Sequence, residues 1–248
     1  MKNMDFLKSW QYAHRGLFDN KQQIPENSLK AFKKALENNY AIELDIQAIS
    51  DNTFVCFHDS NLKRMTNLDS KLYNYNYEQL KEIKLLDSNE EIPKFIDVLN
   101  VVSGKVPLLI EIKSHQNYKK HLKNLVLILD QYKGNYAVFS FDPKIVKWFK
   151  KYRPNYIRGQ ITSYFHENNK MPKLIKYLMK TLFFNKFTKP DFISYNIDNL
   201  PNKYANKFKN QNNKVVFGYT ARTQDQYDAI LNNYDNVVFE SFRPKKNT

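Results

Sequence analysis

AIELDIQAISDNTFVCFH, residues 41–58, is the stretch that decides the fold. It contains two extended segments, 41–49 and 53–58, with a turn at Asp51 and Asn52 between them. That connection is too short for the crossover helix that parallel strands need, so the pair must be an antiparallel hairpin. A two-residue turn would set Asp45 opposite His58. Seven more segments read as strands: 10–14, 107–113, 136–141, 156–161, 191–196, 215–219 and 236–240. With the returning hairpin strand set aside, eight remain, and helix signals lie between most of them. Alternating strands and helices imply a parallel sheet, and eight is the count for a (β/α)8 TIM barrel. The expectation is an α/β fold: one barrel domain, residues 1–248, with a β-hairpin extension after the second strand.

The clearest helix start is Pro25-Glu26-Asn27-Ser28, followed by Leu29, Phe32 and Leu36 at helical spacing. Asn27 or Ser28 would cap it, because a side-chain oxygen there accepts the free amide protons of the first turn. Leu122, Leu125, Val126 and Leu129 form a second stripe, and Ile145, Trp148 and Phe149 a third.

Cys56 is the only cysteine, which excludes an internal disulfide and suits a reducing, intracellular setting. Cys56 itself reads as a buried strand residue. The N-terminal MKNMDFLKSWQYAHRG lacks the apolar run of a signal peptide, and no apolar run approaches the ~20 residues that span a bilayer. The expectation is a soluble, cytoplasmic protein. A net charge of +14 favours polyanionic partners, although a general bias toward Lys, Asn, Tyr and Phe would produce the same total.

Barrel enzymes carry their chemistry at the C-terminal ends of the strands. Here His14 and Arg15 close the first strand, Glu43 and Asp45 sit in the second, His58 ends the hairpin return, and Glu111 and Lys113 follow in the next. Residues two apart share a strand face, so Glu43 with Asp45 and Glu111 with Lys113 can point into the barrel. Three converging carboxylates repel one another unless a cation lies between them. Oxygen ligands with open positions suit Mg²⁺ or Ca²⁺ better than Zn²⁺. His115, His121 and His166 read as structural or surface residues.

These residues, in this order, resemble the glycerophosphodiester phosphodiesterase family. The matching elements are Ala13-His14-Arg15-Gly16, Pro25-Glu26-Asn27-Ser28, Glu43-Leu44-Asp45, His58-Asp59 with Leu62 and Arg64, and Glu111-Ile112-Lys113. The second half matches loosely, through Ser140-Phe141-Asp142. Two elements depart there. Tyr219-Thr220-Ala221-Arg222 stands where the family carries Trp-Thr-Xaa-Asn, and Glu240-Ser241-Phe242-Arg243-Pro244 where it carries Thr-Asp-Xaa-Pro. Both bear on substrate preference more than on catalysis.

The resemblance implies metal-dependent hydrolysis of glycerophosphodiesters to glycerol 3-phosphate and an alcohol. It makes Glu43, Asp45 and Glu111 the ligands of Mg²⁺ or Ca²⁺. Arg15 and Lys113 then bind the phosphate, His58 serves as general acid and His14 as general base, and Tyr219 offers an aromatic wall. The rival enzyme reading is a lipid-directed phosphodiesterase of the same superfamily, of lysophospholipase D or phospholipase C type. The rival non-enzyme reading is a basic nucleic-acid-binding or adaptor protein. It lacks zinc spacing, a phosphate loop or an aromatic RNA-binding signature, so no nucleic-acid partner is expected. Residues 171–189, opened by Met171 and closed by Lys189, form a basic amphipathic pattern. That pattern is either a shell helix with a solvated lysine face or a lip for peripheral contact with anionic membrane.

Overall fold

The computed structural model describes residues 2–115 and 117–245. Nine strands are present among them: β1 (Tyr12–Ala13), β2 (Ala41–Ala48), β3 (Phe54–Cys56), β4 (Leu108–Ile112), β5 (Tyr136–Ser140), β6 (Arg158–Thr162), β7 (Phe192–Asn196), β8 (Val215–Ala221) and β9 (Asn236–Phe239). The helices of the first half are α1 (Asp5–Ser9), α2 (Leu29–Glu37), α3 (Lys63–Thr66), α4 (Tyr77–Leu80), α5 (Phe95–Val102) and α6 (Tyr118–Leu129). Those of the second half are α7 (Pro143–Tyr152), α8 (Lys173–Lys180), α9 (Asn185–Thr188), α10 (Lys203–Lys209) and α11 (Gln224–Leu231). No helix among the described residues is long and apolar enough to cross a membrane.

The chain divides into two compact units, residues 12–136 and residues 1–11 with 137–248. In the first, β2 pairs in parallel with β1 on one side and β4 on the other, and β3 folds back antiparallel on β2. Every residue of β2 except Gln47 is buried. Ile42, Leu44 and Ile46 alternate with Glu43, Asp45 and Gln47, so over residues 42–47 one strand face is apolar and the other polar. Ile42, Leu44 and Ile46 have no exposed surface, and each contributes roughly 1.5–3 kcal/mol by leaving water. The segment after β3 has a small core of its own, in which Val55 and Phe57 pack with Leu62, Met65, Leu72, Leu80 and Leu85.

In the second unit, β5 to β9 pair in sequence and all in parallel from β5 to β6, β7, β8 and β9. α7 follows β5, opens on Asp142, whose side chain accepts from Lys144 N, and carries Pro143 in its first turn. All nine extended segments expected from the sequence are present, with ends trimmed by a residue or two except at the C-terminal ends of β6 and β8, which run further.

Three expectations need correction. The hairpin register is Ile46 opposite Cys56 and Ala48 opposite Phe54, one residue away from the register that pairs Asp45 with His58. The cause is a longer loop: Ile49 N bonds Thr53 O, and Asn52 takes a left-handed φ of 68°, as a three-residue hairpin loop requires. Phe57 therefore occupies the place opposite Asp45, its amide donating to Asp45 O at 3.1 Å. On α2 the buried face is Ala31, Phe32 and Ala35, whereas Leu29 and Leu36 are partly exposed. Residues 171–189 are two helices, α8 and α9, separated by a turn in which Leu182 has φ 58°. The expected stripes on α6 and α7 are buried.

Candidate active site

The residues singled out at the strand ends of the first half converge within one unit. His14 and Arg15 leave β1 on a bend, with Arg15 at φ 54° and Gly16 at φ 78°. A Cβ at Gly16 would lie 2.9 Å from the backbone carbon of Ala31, so only glycine lets this bend sit against α2. The bend is tied to β2 twice: Gly16 N donates to Glu43 O, and Arg15 N donates to Glu43 Oε2 at 3.0 Å. His14 Nε2 lies 3.8 Å from the same carboxylate oxygen.

The parallel register sets Asp45 of β2 directly beside Glu111 of β4. Glu43, Asp45 and Glu111 are all buried, and one carboxylate oxygen from each lies within 4.8 Å of the others. Lys113, two residues beyond Glu111 on the same face, places its ammonium 2.7 Å from Asp45 Oδ1 and also ion-pairs with Glu111. On the other side, Arg15 Nε is 3.2 Å from Asp45 Oδ2. Asn27, at φ 56°, donates from its side-chain amide to Asp45 Oδ2 and accepts from Asp45 N. Ser28, not Asn27, caps α2, accepting from Ala31 N. Asn27 is instead a brace for Asp45.

His58 lies two residues past the end of β3. Gln47, the polar-face residue next after Asp45, holds that segment by donating to Phe57 O and Asp59 O, both at 2.8 Å. His58 Nδ1 is 2.6 Å from Asp59 Oδ1. Arg64 Nε donates to Asp59 Oδ2 at 2.6 Å, and its two terminal nitrogens bond both oxygens of Glu26. Glu26 in turn accepts from Arg15 Nη1 at 2.6 Å. A continuous chain of alternating charge thus runs from Asp59 through Arg64 and Glu26 to Arg15, with His58 hydrogen-bonded at the Asp59 end. Glu26, Asn27, Asp59 and Arg64 stand in the sequence only as motif letters, and their bracing role is visible only in the fold. Polar residues clustered just before a helix and just after a strand were the available signal.

The electrostatics divide the carboxylates. Burial pushes Asp45 upward, but Lys113, Arg15 and His58 outweigh it and hold Asp45 well below the usual carboxylate range. Burial and the charges of Asp45 and Glu111 push Glu43 well above its usual value, against the pull of Arg15. Burial also raises Glu111, partly countered by Lys113. Lys113 is desolvated too, yet its two carboxylate neighbours push its ammonium up to about 12. Outside the cluster, Arg64 and Arg15 overcome burial to lower Glu26, and His58 and Arg64 do the same for Asp59.

The model of the glycerophosphoryl diester phosphodiesterase family matches residues 14–239, a span that begins at His14 and takes in every residue of this cluster. The chain belongs to that family. Members similar to it include the glycerophosphodiester phosphodiesterase of Caldanaerobacter subterraneus subsp. tengcongensis, 35% identical over 119 residues. That match takes in 44% of this chain and 46% of the relative. Glycerophosphodiester phosphodiesterase 1 of Bos taurus is 25% identical over 186 residues, 69% of this chain and 55% of the relative. The chain thus spans about half the length of these curated relatives. Among solved structures, a phosphodiesterase of Oleispira antarctica in complex with the product sn-glycerol-3-phosphate has a TM-score of 0.77 at 20% identity, covering 94% of this chain and 93% of that one. A glycerophosphodiester phosphodiesterase of Thermotoga maritima has a TM-score of 0.68 at 24% identity, covering 92% of each. These likenesses establish the fold as the (β/α)8 barrel, with β3 as its antiparallel addition.

The family's divalent metal has a fitting donor set here. Three buried carboxylates within reach of one ion, two of them driven toward their neutral forms by burial and by the charge of neighbouring carboxylates, are the arrangement that a cation relieves. The departures from the family pattern lie in the other unit. There Tyr219 donates its hydroxyl to Thr162 O at 3.0 Å and packs edge-on to Phe141, while Arg222 ion-pairs with Glu240 at 2.7 Å.

Proposed function

We propose that this chain is a metal-dependent phosphoric diester hydrolase that cleaves glycerophosphodiesters to glycerol 3-phosphate and an alcohol. The observation that carries this reading is the buried triad Glu43, Asp45 and Glu111, flanked by Arg15, Lys113 and two histidines. In this reading residues 1–248 act as one catalytic domain, and Mg²⁺ or Ca²⁺ is the ion held by the triad. The ion, when bound, polarises the phosphoryl oxygens as a Lewis acid.

The chain's own groups do the rest. Arg15 and Lys113 bring positive charge to the phosphate, Arg15 through a planar fork fixed by Glu26, and Lys113 as a point charge. Asp59, held ionised, takes the Nδ1 proton of His58 as a hydrogen bond and leaves Nε2 to protonate the leaving alkoxide. His14, on the bend beside Glu43, serves as the general base. Each transfer of this kind contributes ~10²–10⁴ in rate. Tyr219 serves as an aromatic wall for the substrate. A reducing, cytoplasmic setting, suited to a chain with Cys56 as its single cysteine, belongs to the same reading.

The test is release of glycerol 3-phosphate from a panel of glycerophosphodiesters with and without chelator. The expected result is activity abolished by the chelator and restored by Mg²⁺ or Ca²⁺. Full activity in His14→Ala, or in Glu43→Ala with the ion present, would sink the assignment. A lipid-directed activity is the second reading, favoured by the exposed apolar and basic surface of α8 and α9. Lysolipid substrates tested beside water-soluble diesters separate the two.

A further inference from the structure

Residues 168–190 contain six lysines, Lys170, Lys173, Lys176, Lys180, Lys186 and Lys189, and no acidic residue. Within the same stretch large apolar side chains face solvent: Leu174 is 66% exposed, Tyr177 54% and Phe187 50%, with Ile175 and Phe183 more than a third exposed. They form one surface. Leu174 and Tyr177 are three apart on α8 and share its side, Tyr177 and Phe183 line a common cleft, and the Phe183 and Phe187 rings meet at 5.9 Å. Lysines are interleaved with the rings, Lys186 Nζ lying 5.0 Å from Phe183 and Lys180 Nζ 5.7 Å from Tyr177.

The cleft, about 600 Å³, lies between these helices and α10. Lys186, Lys189, Lys207 and Lys214 line it, and no carboxylate does. Asn185 also lines it, and both polar atoms of its side-chain amide are shielded from solvent and make no hydrogen bond. An apolar patch of this size ringed by one sign of charge fits neither a solvated shell helix nor a neutral protein face.

We propose that α8, α9 and the adjoining cleft dock this protein on an anionic phospholipid bilayer. Leu174, Tyr177 and Phe187 enter the boundary between headgroups and acyl chains, while the lysines take lipid phosphates. The proposal does not depend on the reaction, because it is read from binding in the absence of substrate.

The experiment is co-sedimentation of the full chain with vesicles of phosphatidylglycerol mixed into phosphatidylcholine, against phosphatidylcholine alone. Binding is expected to the anionic vesicles at low salt and to fall steeply as salt shortens the Debye length to about 3 Å near 1 M. Each lysine of the patch replaced by glutamine is expected to lower partition roughly five-fold. Leu174→Glu with Phe187→Glu is expected to lower it at least as far. Both positions are exposed, so the variant keeps its melting temperature. Lys119→Gln with Lys123→Gln, on α6, is the control for the general +14 charge and is expected to leave binding unchanged. No binding to anionic vesicles at low salt overturns the proposal. So does binding indifferent to Leu174→Glu with Phe187→Glu, an equal loss in the α6 control, or a self-association in solution that the same patch variants abolish.

Discussion

Replacing Glu43 with glutamine is expected to make the metal-free protein more stable while destroying its use. Glu43 is 2% exposed, and burial together with Asp45 and Glu111 raises its pKa well above the ordinary 4.5. A carboxyl raised in the folded state favours folding below its unfolded pKa, and that contribution is lost as pH rises toward the folded value. At pH 7 the cost of keeping it is bounded at about 3 kcal/mol, since a group pushed further takes up a proton instead. Glutamine keeps the shape and an oxygen to accept from Arg15 N, and carries no charge. The expected gain is ~2–3 kcal/mol in chelator at pH 7–8, or roughly 4–12 °C in melting temperature for a chain of this length. The gap should close as pH falls to about 4.5, where both forms are neutral at this position. Divalent cation then inverts the order. The wild type gains ~4.1 kcal/mol at a thousand times its dissociation constant, more than the variant's advantage, and the variant, short of a ligand, gains little. Thermal denaturation by circular dichroism across pH, with and without cation, reads all of this. A Glu43→Gln protein that melts below the wild type in chelator at pH 8, or a gap that persists at pH 4.5, would refute the reasoning.

Asp59→Asn is expected to lower kcat ~10–100-fold with little change in KM, because the ring of His58 loses the partner that fixes its orientation and tautomer; steady-state kinetics check this, and an unchanged kcat would remove Asp59 from the proton path. Glu26→Gln breaks a buried link between Arg15 and Arg64 and should cost ~3 kcal/mol at pH 7. Because the folded pKa of Glu26 is lowered, that difference is present above about pH 4.5 and fades as pH falls through the folded value, which urea melts at pH 7 and pH 3 would reveal. Gly16→Ala meets both a φ of 78° and the backbone of α2, so a loss of ~1–3 kcal/mol is expected together with reduced turnover, as the bend carrying His14 and Arg15 shifts.

Which features could be read from the sequence follows from which forces are local. Strand faces are set by a period of two, so Glu43 with Asp45 and Glu111 with Lys113 could be paired correctly before any tertiary information. The parallel register then brings Asp45 beside Glu111. Hairpin register is different, because it depends on one residue of loop length. Asn52 adopting φ 68° lengthens the loop and carries His58 past the position opposite Asp45. His58 still acts on Asp45 and Glu111, but it does so from a segment whose position is set by Gln47 and by the small core around Phe57 and Leu62. Neither support has a local signature. The same holds for Asn27, which satisfies every rule for a helix cap and yet lies one residue early, in the left-handed conformation that asparagine tolerates, with its amide turned to Asp45. Side chains that bear the charge were legible by type and spacing. Side chains that hold them in place depend on contacts made across tens of residues, such as the link from Arg64 to Glu26, and appear only once the chain is folded.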